Sequence, residues 1–296
     1  MNRISAAFFV VFVFLLGLLP YRLLYVFSDF LRFVLYRIVG YRKKVVIQNL
    51  KSSFPDKSEK EIMEIVRKSY RNLSDIMVES FKSFTMSKKS LINRYKFINA
   101  EEIAPFESAG RSVILAAGHH GNWEWSSVSA GLQLKSQMVG LYKPLSNKYI
   151  DALIKKSRGR TNTTLASIYE TQKTFNYYSD KGAAFMMAGD QNPGNPRKSI
   201  WINFLSRPTA FLNGIERYAV KHDLPVVFGD ARRLGRGRYE ITLTTLCDNP
   251  RELPKGEITR LYAKKLEEII YERPENWLWS HKRWKMTLPE NTEVIG

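Results

Sequence analysis

The chain has 296 residues, 44% of them hydrophobic, enough to bury a sizeable core, and at this length one domain with an N-terminal appendage is expected. Its 46 Lys and Arg against 28 Asp and Glu give a formal net charge of +18, a field that favours an anionic partner: nucleic acid, an anionic membrane or an acidic protein. The single cysteine, Cys247, excludes an internal disulfide, agrees with a reducing compartment and reads as inert.

Residues Ile4–Tyr21 carry no charge and are dominated by Phe, Val and Leu, a run just long enough to cross a bilayer core, so a membrane-anchor helix is predicted there. A cleaved signal peptide is the rival, but no small-residue cleavage site follows the run. Only Arg3 precedes it, whereas Arg22, Arg32, Arg37, Arg42, Lys43 and Lys44 follow, which puts the bulk of the protein on the cytoplasmic side. Residues 23–40 are apolar but carry Asp29, Arg32 and Arg37. They read as a helix lying in the membrane interface with its arginines reaching headgroups, a second span being the alternative. The expected organisation is an anchor and interfacial helix over 1–40 and a cytoplasmic-side domain over 41–296.

Ser58-x-x-Glu61 has the form of a capping box, and the helix it opens carries Ile62, Val66, Leu73, Met77 and Phe81 near helical spacing. Strand patterns follow at Val113–Ala117, Met138–Tyr142, Ala183–Ala188, Pro225–Gly229 and Tyr239–Thr245. Helix patterns lie near 122–132, 147–158, 168–180, 209–222 and 256–272, with Arg207-Pro208-Thr209 read as a helix entry capped by Thr209. This alternation predicts an α/β sandwich with a largely parallel central sheet flanked by helices. Tyr239–Thr245 alternates and follows a glycine turn, so it is predicted to return antiparallel.

The segment Ala116–Trp125, AAGHHGNWEW, is the most informative. It sets His119 and Glu124 five positions apart where a buried strand turns into a helix capped by Asn122. Residues five apart on one helix are rotated by about 140°, so a bend must bring the carboxylate onto one imidazole nitrogen and leave the other free as a base. That is the base-and-orienter half of a hydrolase triad with no serine beside it, suited to a reaction whose nucleophile is the substrate's own hydroxyl. A lone His-x4-Glu is also an ordinary structural spacing; the strand end in an open α/β sheet is what favours a site. His120 reads as a turn residue. Nucleotide fingerprints, a phosphate loop, a G-x-S-x-G elbow and H-E-x-x-H are all absent, so neither a nucleotide cofactor nor a metal is expected.

With these pieces together the chain resembles the bacterial lipid A late acyltransferases of the lysophospholipid acyltransferase superfamily, over roughly residues 5–286. Five blocks carry the resemblance in order: YRKKVVIQNLKSSFP at 41–55, HHGNWEW at 119–125, YKPLSNKYID at 142–151, AGDQ at 188–191 and NWLWSHKRWK at 276–285. It implies a glycerolipid acyltransferase-like fold and transfer of a fatty acyl group from acyl carrier protein, or acyl-CoA, to a hydroxyl of a lipid A precursor in lipopolysaccharide biosynthesis. The expected location is the cytoplasmic face of the bacterial inner membrane, with membrane lipids as further partners and no cofactor.

In that reading His119 is the general base and Glu124 orients it, while backbone N–H groups at Gly121, Asn122 and Trp123 are candidates for an oxyanion hole. Lys143 stands where the family more often has arginine; it either meets phosphate as a point charge or is a solvated lysine after a strand. Asp190 and Gln191 are candidate cleft residues, or shape their loop. His281, Lys282, Arg283 and Lys285 alternate with Trp277, Trp279 and Trp284, a pattern suited to a membrane interface and lipid phosphates, Arg283 being the candidate contact; a packed segment with a solvated basic edge is the alternative.

Three rivals stand beside this reading. The acceptor could be another glycolipid, an aminolipid or a lysophospholipid, since a His-acidic pair does not choose one. The same pair could activate water in a lipid or thioester hydrolase. A membrane-tethered nucleic-acid module is disfavoured because the cations are spread along the chain with no accompanying motif.

Overall fold

The structure, a computed structural model, describes residues 2–296. The chain opens with α1 (Asn2–Leu18), α2 (Tyr21–Phe33), a π-helical turn at Val34–Ile38, α3 (Lys43–Ser53), α4 (Glu59–Lys82), α5 (Lys88–Arg94), β1 (Tyr95–Phe97) and α6 (Ala104–Ser108). It then alternates through β2 (Val113–Ala117), α7 (Trp123–Gln133), β3 (Gln137–Tyr142), α8 (Lys148–Gly159), β4 (Thr163–Ser167), α9 (Thr171–Tyr178) and β5 (Ala183–Ala188). A hairpin of β6 (Ile200–Phe204) and β7 (Arg207–Phe211), α10 (Gly214–His222), β8 (Val226–Gly235), β9 (Arg238–Cys247) and α11 (Glu257–Glu272) complete it.

Seven strands form one sheet in the order β1-β9-β8-β2-β5-β3-β4, parallel except for the β8–β9 pair. β2 lies inside the sheet, and both of its faces are covered. Ile114 and Ala116 join a core that includes α4, α10 and α11, while Val113 and Leu115 join one that includes α5, α6 and α7. A strand buried on both sides reads as the continuous apolar run Val113–Ala117.

The capping box at Ser58 and Glu61 forms as its spacing predicts. The predicted helix entry at Arg207-Pro208-Thr209 is instead strand β7, reached through the two-residue turn Leu205-Ser206, both at positive φ. That is the conformation a tight hairpin needs, here adopted without glycine, asparagine or aspartate to announce it. The short strands β1 and β4 and the β6–β7 hairpin were not predicted.

The predicted membrane-crossing anchor is not formed: among the described residues no helix is long and apolar enough to cross a membrane. α1 ends at Leu18, and Pro20 is the N-cap of α2. The carbonyls at the end of α1 and just past it are taken by the protein, Gly17 by the Thr85 hydroxyl (2.7 Å) and Leu19 by the Lys82 ammonium (2.8 Å). Phe9 and Phe12 pack edge-on against Phe81 of α4. At 1.5 Å per residue the 17-residue α1 spans about 25 Å, short of a bilayer core of about 30 Å.

α2 does lie along the domain, but with its polar side inward. Ser28 is fully buried and donates to Asp75 (2.6 Å), Tyr25 donates to Glu79 (2.8 Å), and Asp29 receives a bidentate Arg236 (2.6 and 2.9 Å). Leu23, Val26, Phe30 and Phe33 are left on the outside, Val26 at 67% exposed.

Tyr262 on α11 ties the two central strands together where the site begins. Its hydroxyl donates to the Ala117 carbonyl (2.8 Å) and accepts from the Gly189 N–H (3.1 Å). Tyr262→Phe leaves a buried N–H unpaired, and we expect about 1–3 kcal/mol of destabilisation, measured by denaturant unfolding at constant m-value.

Candidate active site

Sheet register brings the central pair of the site together. β2 and β5 are parallel neighbours with Ala117 paired to Ala188, so the residues two beyond each strand end, His119 and Asp190, meet at the C-terminal edge of the sheet. The Asp190 carboxylate accepts the His119 ring at Nδ1 (2.7 Å), the His119 backbone N–H (2.7 Å) and the Trp277 indole (2.9 Å). Gly118 leaves room here: a Cβ would lie 2.6 Å from the Leu266 side-chain end, which would have to shift, and 3.3 Å from Asp190 Oδ2. The other ring nitrogen, Nε2, is 3.1 Å from the Gln191 side-chain amide. With Nδ1–H donated to Asp190, Nε2 carries the lone pair that a base needs.

Burial works against a charged imidazole, but the Asp190 charge and hydrogen bond outweigh it, with a further push from Glu124, and the His119 pKa is raised above its ordinary value. Burial alone would lift the Asp190 carboxyl as well. The charge of His119 and the donated hydrogen bonds instead hold it well below the usual carboxylate range, so Asp190 is an anion that steadies an imidazolium.

Asp190, not Glu124, is therefore the carboxylate on the His119 ring. Glu124 lies in the first turn of α7 and forms an ion pair with Arg158 of α8, whose guanidinium also donates to the Glu124 carbonyl (2.9 Å). The expected bend that would carry Glu124 onto the imidazole is not made, because Arg158 claims its carboxylate. Glu124 acts on His119 through its charge alone.

One oxyanion candidate, the Gly121 N–H, is already taken, and the Asn122 side chain has a role of its own. Gly121, at a positive φ and within 2.9 Å of Ala231 O from an ideal Cβ, donates its N–H to the Asn276 carbonyl (3.0 Å). Asn122 is fully buried; its side chain caps α7 by accepting from Trp125 N (2.9 Å) and donates to Glu79 (2.6 Å). His120 is a structural residue: its ring nitrogens face the carbonyls of Ala231 and Arg273, and burial with the nearby Arg273 charge pushes its pKa down to about 4.

Lys143 is exposed just past β3, on the same sheet edge as His119. The C-terminal block is packed rather than interfacial. Trp277 and Trp279 are buried, His281 accepts the Asn192 N–H (2.9 Å), and Arg283 is only 1% exposed, its guanidinium over the Phe211 ring at 4.6 Å. Burial pushes Arg283 down to about 10, and Asp190 pulls the other way. A side chain so enclosed is not a surface contact for headgroups, whereas Lys282 and Lys285 form the solvated basic edge.

A cavity of about 480 Å³ runs from the His119 side of the site into the apolar interior. His119, His120, Glu124, Tyr142 and Arg158 are its charged or titratable walls; Phe9, Phe81, Leu115, Leu165, Met186 and Ile241 are among its apolar ones. Among the described residues, no group of three or more His, Cys, Asp or Glu could hold a metal ion. Arg158, Trp277 and Tyr262 were missed from the sequence. Arg158 is one of several cations on its helix, and only the Trp277 block drew notice, for a different reason.

The bacterial lipid A biosynthesis acyltransferase profile matches residues 2–286. The Lipid A biosynthesis lauroyltransferase of Escherichia coli K12 is 27% identical over 92% of this chain and 88% of its own length. The Lipid A biosynthesis acyltransferase of Haemophilus influenzae is 25% identical over 90% and 83%, and the E. coli palmitoleoyltransferase of the same pathway 21% over 82% and 79%. With the match running through the His119, Asp190 and Trp277 segments alike, the chain belongs to the bacterial lipid A biosynthesis acyltransferase family.

Proposed function

We propose that this enzyme transfers a fatty acyl chain from a thioester donor, acyl carrier protein or acyl-CoA, to a hydroxyl of a lipid A precursor. The observation that carries the reading is His119, held by Asp190 from behind, on the wall of a largely apolar cavity of about 480 Å³. A base beside a slot for hydrocarbon suits acyl transfer to a hydroxyl that has no protein nucleophile to assist it.

The acceptor hydroxyl gives its proton to His119 Nε2 as its oxygen attacks the thioester carbonyl carbon. Asp190, holding Nδ1–H, stabilises the imidazolium without taking the proton. The tetrahedral oxyanion collapses, the C–S bond breaks, and the thiolate leaves with the proton from Nε2. The Gln191 amide, which donates to the Nε2 lone pair (3.1 Å), yields that place to the acceptor hydroxyl before Nε2 acts as the base. Glu124 contributes by its charge and by holding Arg158 at the cavity wall. Lys143 meets an acceptor phosphate as a point charge.

We place the reaction at the cytoplasmic face of the inner membrane. The outward apolar residues of α1 and α2, Phe8 at 72% and Phe30 at 61% exposed, support a helix pair lying in the bilayer surface rather than crossing it. The same α1 contributes Phe9 to the cavity, which gives an acyl chain a short path from lipid to site. The excess of cations suits anionic headgroups and an acidic carrier protein.

Cells lacking the native copy and carrying the wild-type chain are expected to add one acyl mass to lipid A by mass spectrometry, and His119→Ala to leave the under-acylated precursor. Identical profiles at equal expression would sink the reading. Free fatty acid as the main product, with or without acceptor, would point to a hydrolase.

The pH profile tests the pair directly. Only neutral His119 is a base, so the wild-type rate falls as pH drops through a pKa raised above 6.5. Asp190→Asn removes the charge that raises it, so the acid limb should move to lower pH while the plateau drops by about 10²–10⁴-fold. An unmoved limb would remove Asp190 from the base.

The cavity also predicts acyl selection. Gly140 carries no side chain where a Cβ would lie 3.2 Å from Leu165 and 3.3 Å from Met186, all three being wall residues. Gly140→Val should shift the transferred acyl group to a shorter mass in the same lipid A spectra.

A further inference from the structure

The segment His119–Trp125 is held by two buried carboxylates, and the reaction uses only one of them. Asp190 holds its first residue. Glu79 of α4, fully buried, holds the other end. Its Oε1 accepts from the Tyr25 hydroxyl (2.8 Å) and the Gly237 N–H (2.9 Å), and its Oε2 from the Asn122 amide (2.6 Å) and the Tyr239 hydroxyl (2.8 Å). The Glu79 backbone carbonyl takes the Trp125 indole N–H as well (2.7 Å). One residue thus grips Asn122, which caps α7, and Trp125, which completes the first turn of that helix.

One N–H donor on each oxygen and two tyrosine hydroxyls converge on the carboxylate, a set that suits a group with lone pairs on both oxygens, while burial raises its pKa. An amide of the same shape must turn its NH₂ toward one of the two N–H donors. Asn122 has no other partner for its amide among these contacts, so its orientation follows that of Glu79.

We propose that Glu79 is a positioning residue for acyl transfer, fixing Asn122 and with it the angle at which α7 leaves the His119 turn. That angle sets how Glu124 and Arg158 stand against the imidazole and the cavity. The same carboxylate holds α2 through Tyr25, so the seating of the outward-facing apolar helix and the geometry of the site share one anchor.

The proposal rests on His119 as the base, and the test keeps the two apart. In the purified full chain, Glu79→Gln is expected to lower kcat by about ten- to hundredfold with KM for the acyl donor within about twofold, the cost of a small misplacement. The exchanged pair, Glu79→Gln with Asn122→Asp, restores one hydrogen bond with its polarity reversed and keeps a good cap, so it should recover most of the lost kcat. A second readout needs no acyl transfer: the imidazole ¹⁵N shifts of His119, assigned by their loss in His119→Ala, should move in Glu79→Gln and return in the pair.

Wild-type kcat in Glu79→Gln, or a loss that vanishes when the rate is divided by the folded fraction, would overturn the proposal. So would imidazole shifts that stay unchanged. A wild-type chain that acylates no lipid A precursor would sink the functional reading alone, since the imidazole shifts still decide the role of Glu79.

Discussion

The site depends on one hydrogen-bonded pair across two parallel strands. Because Ala117 and Ala188 sit opposite each other, the chain needs only two further residues on each strand to bring an imidazole and a carboxylate within 2.7 Å. Gly118 lets them close, Tyr262 pins the strand ends, and Trp277 supplies the third donor that keeps Asp190 ionised in a buried place. The arrangement is costly to bury and is repaid by complete pairing, as buried charge requires.

What the sequence made legible follows from how local each signal is. Val113–Ala117 and Ala183–Ala188 were found to the residue, because a strand buried on both faces writes itself as an apolar run. His119 was singled out because it follows such a run directly, and Asp190 and Gln191 through the AGDQ block that carries the resemblance. The pairing was not found. His119 and Asp190 are 71 residues apart in sequence, and only strand order and register decide that they meet, whereas Glu124 lies near in sequence and drew the assignment. The Leu205-Ser206 turn shows the same limit from another direction: its left-handed backbone is imposed by the β6–β7 pairing, and its residue types do not declare it.

The N-terminal region shows what hydropathy leaves out when it is read without partners. Of the polar groups on residues 23–40, Asp29 turns to Arg236 and Ser28 to Asp75, while Arg37 stays exposed. The buried polar row on α4, Asp75 and Glu79, gives α2 somewhere to place its polar face, which frees its apolar face for the outside. In a water-soluble helix the order is the reverse.

Phe9 has a practical consequence for anyone handling the protein. A chain shortened to begin after Leu18, the common remedy for poor solubility, would not be a smaller version of the same enzyme. It would have lost a wall of its own hydrocarbon slot, along with the helix covering Phe81 and Phe84. Detergent tails would enter from that side, and inhibition constants measured on such a fragment would describe the breach rather than the pocket.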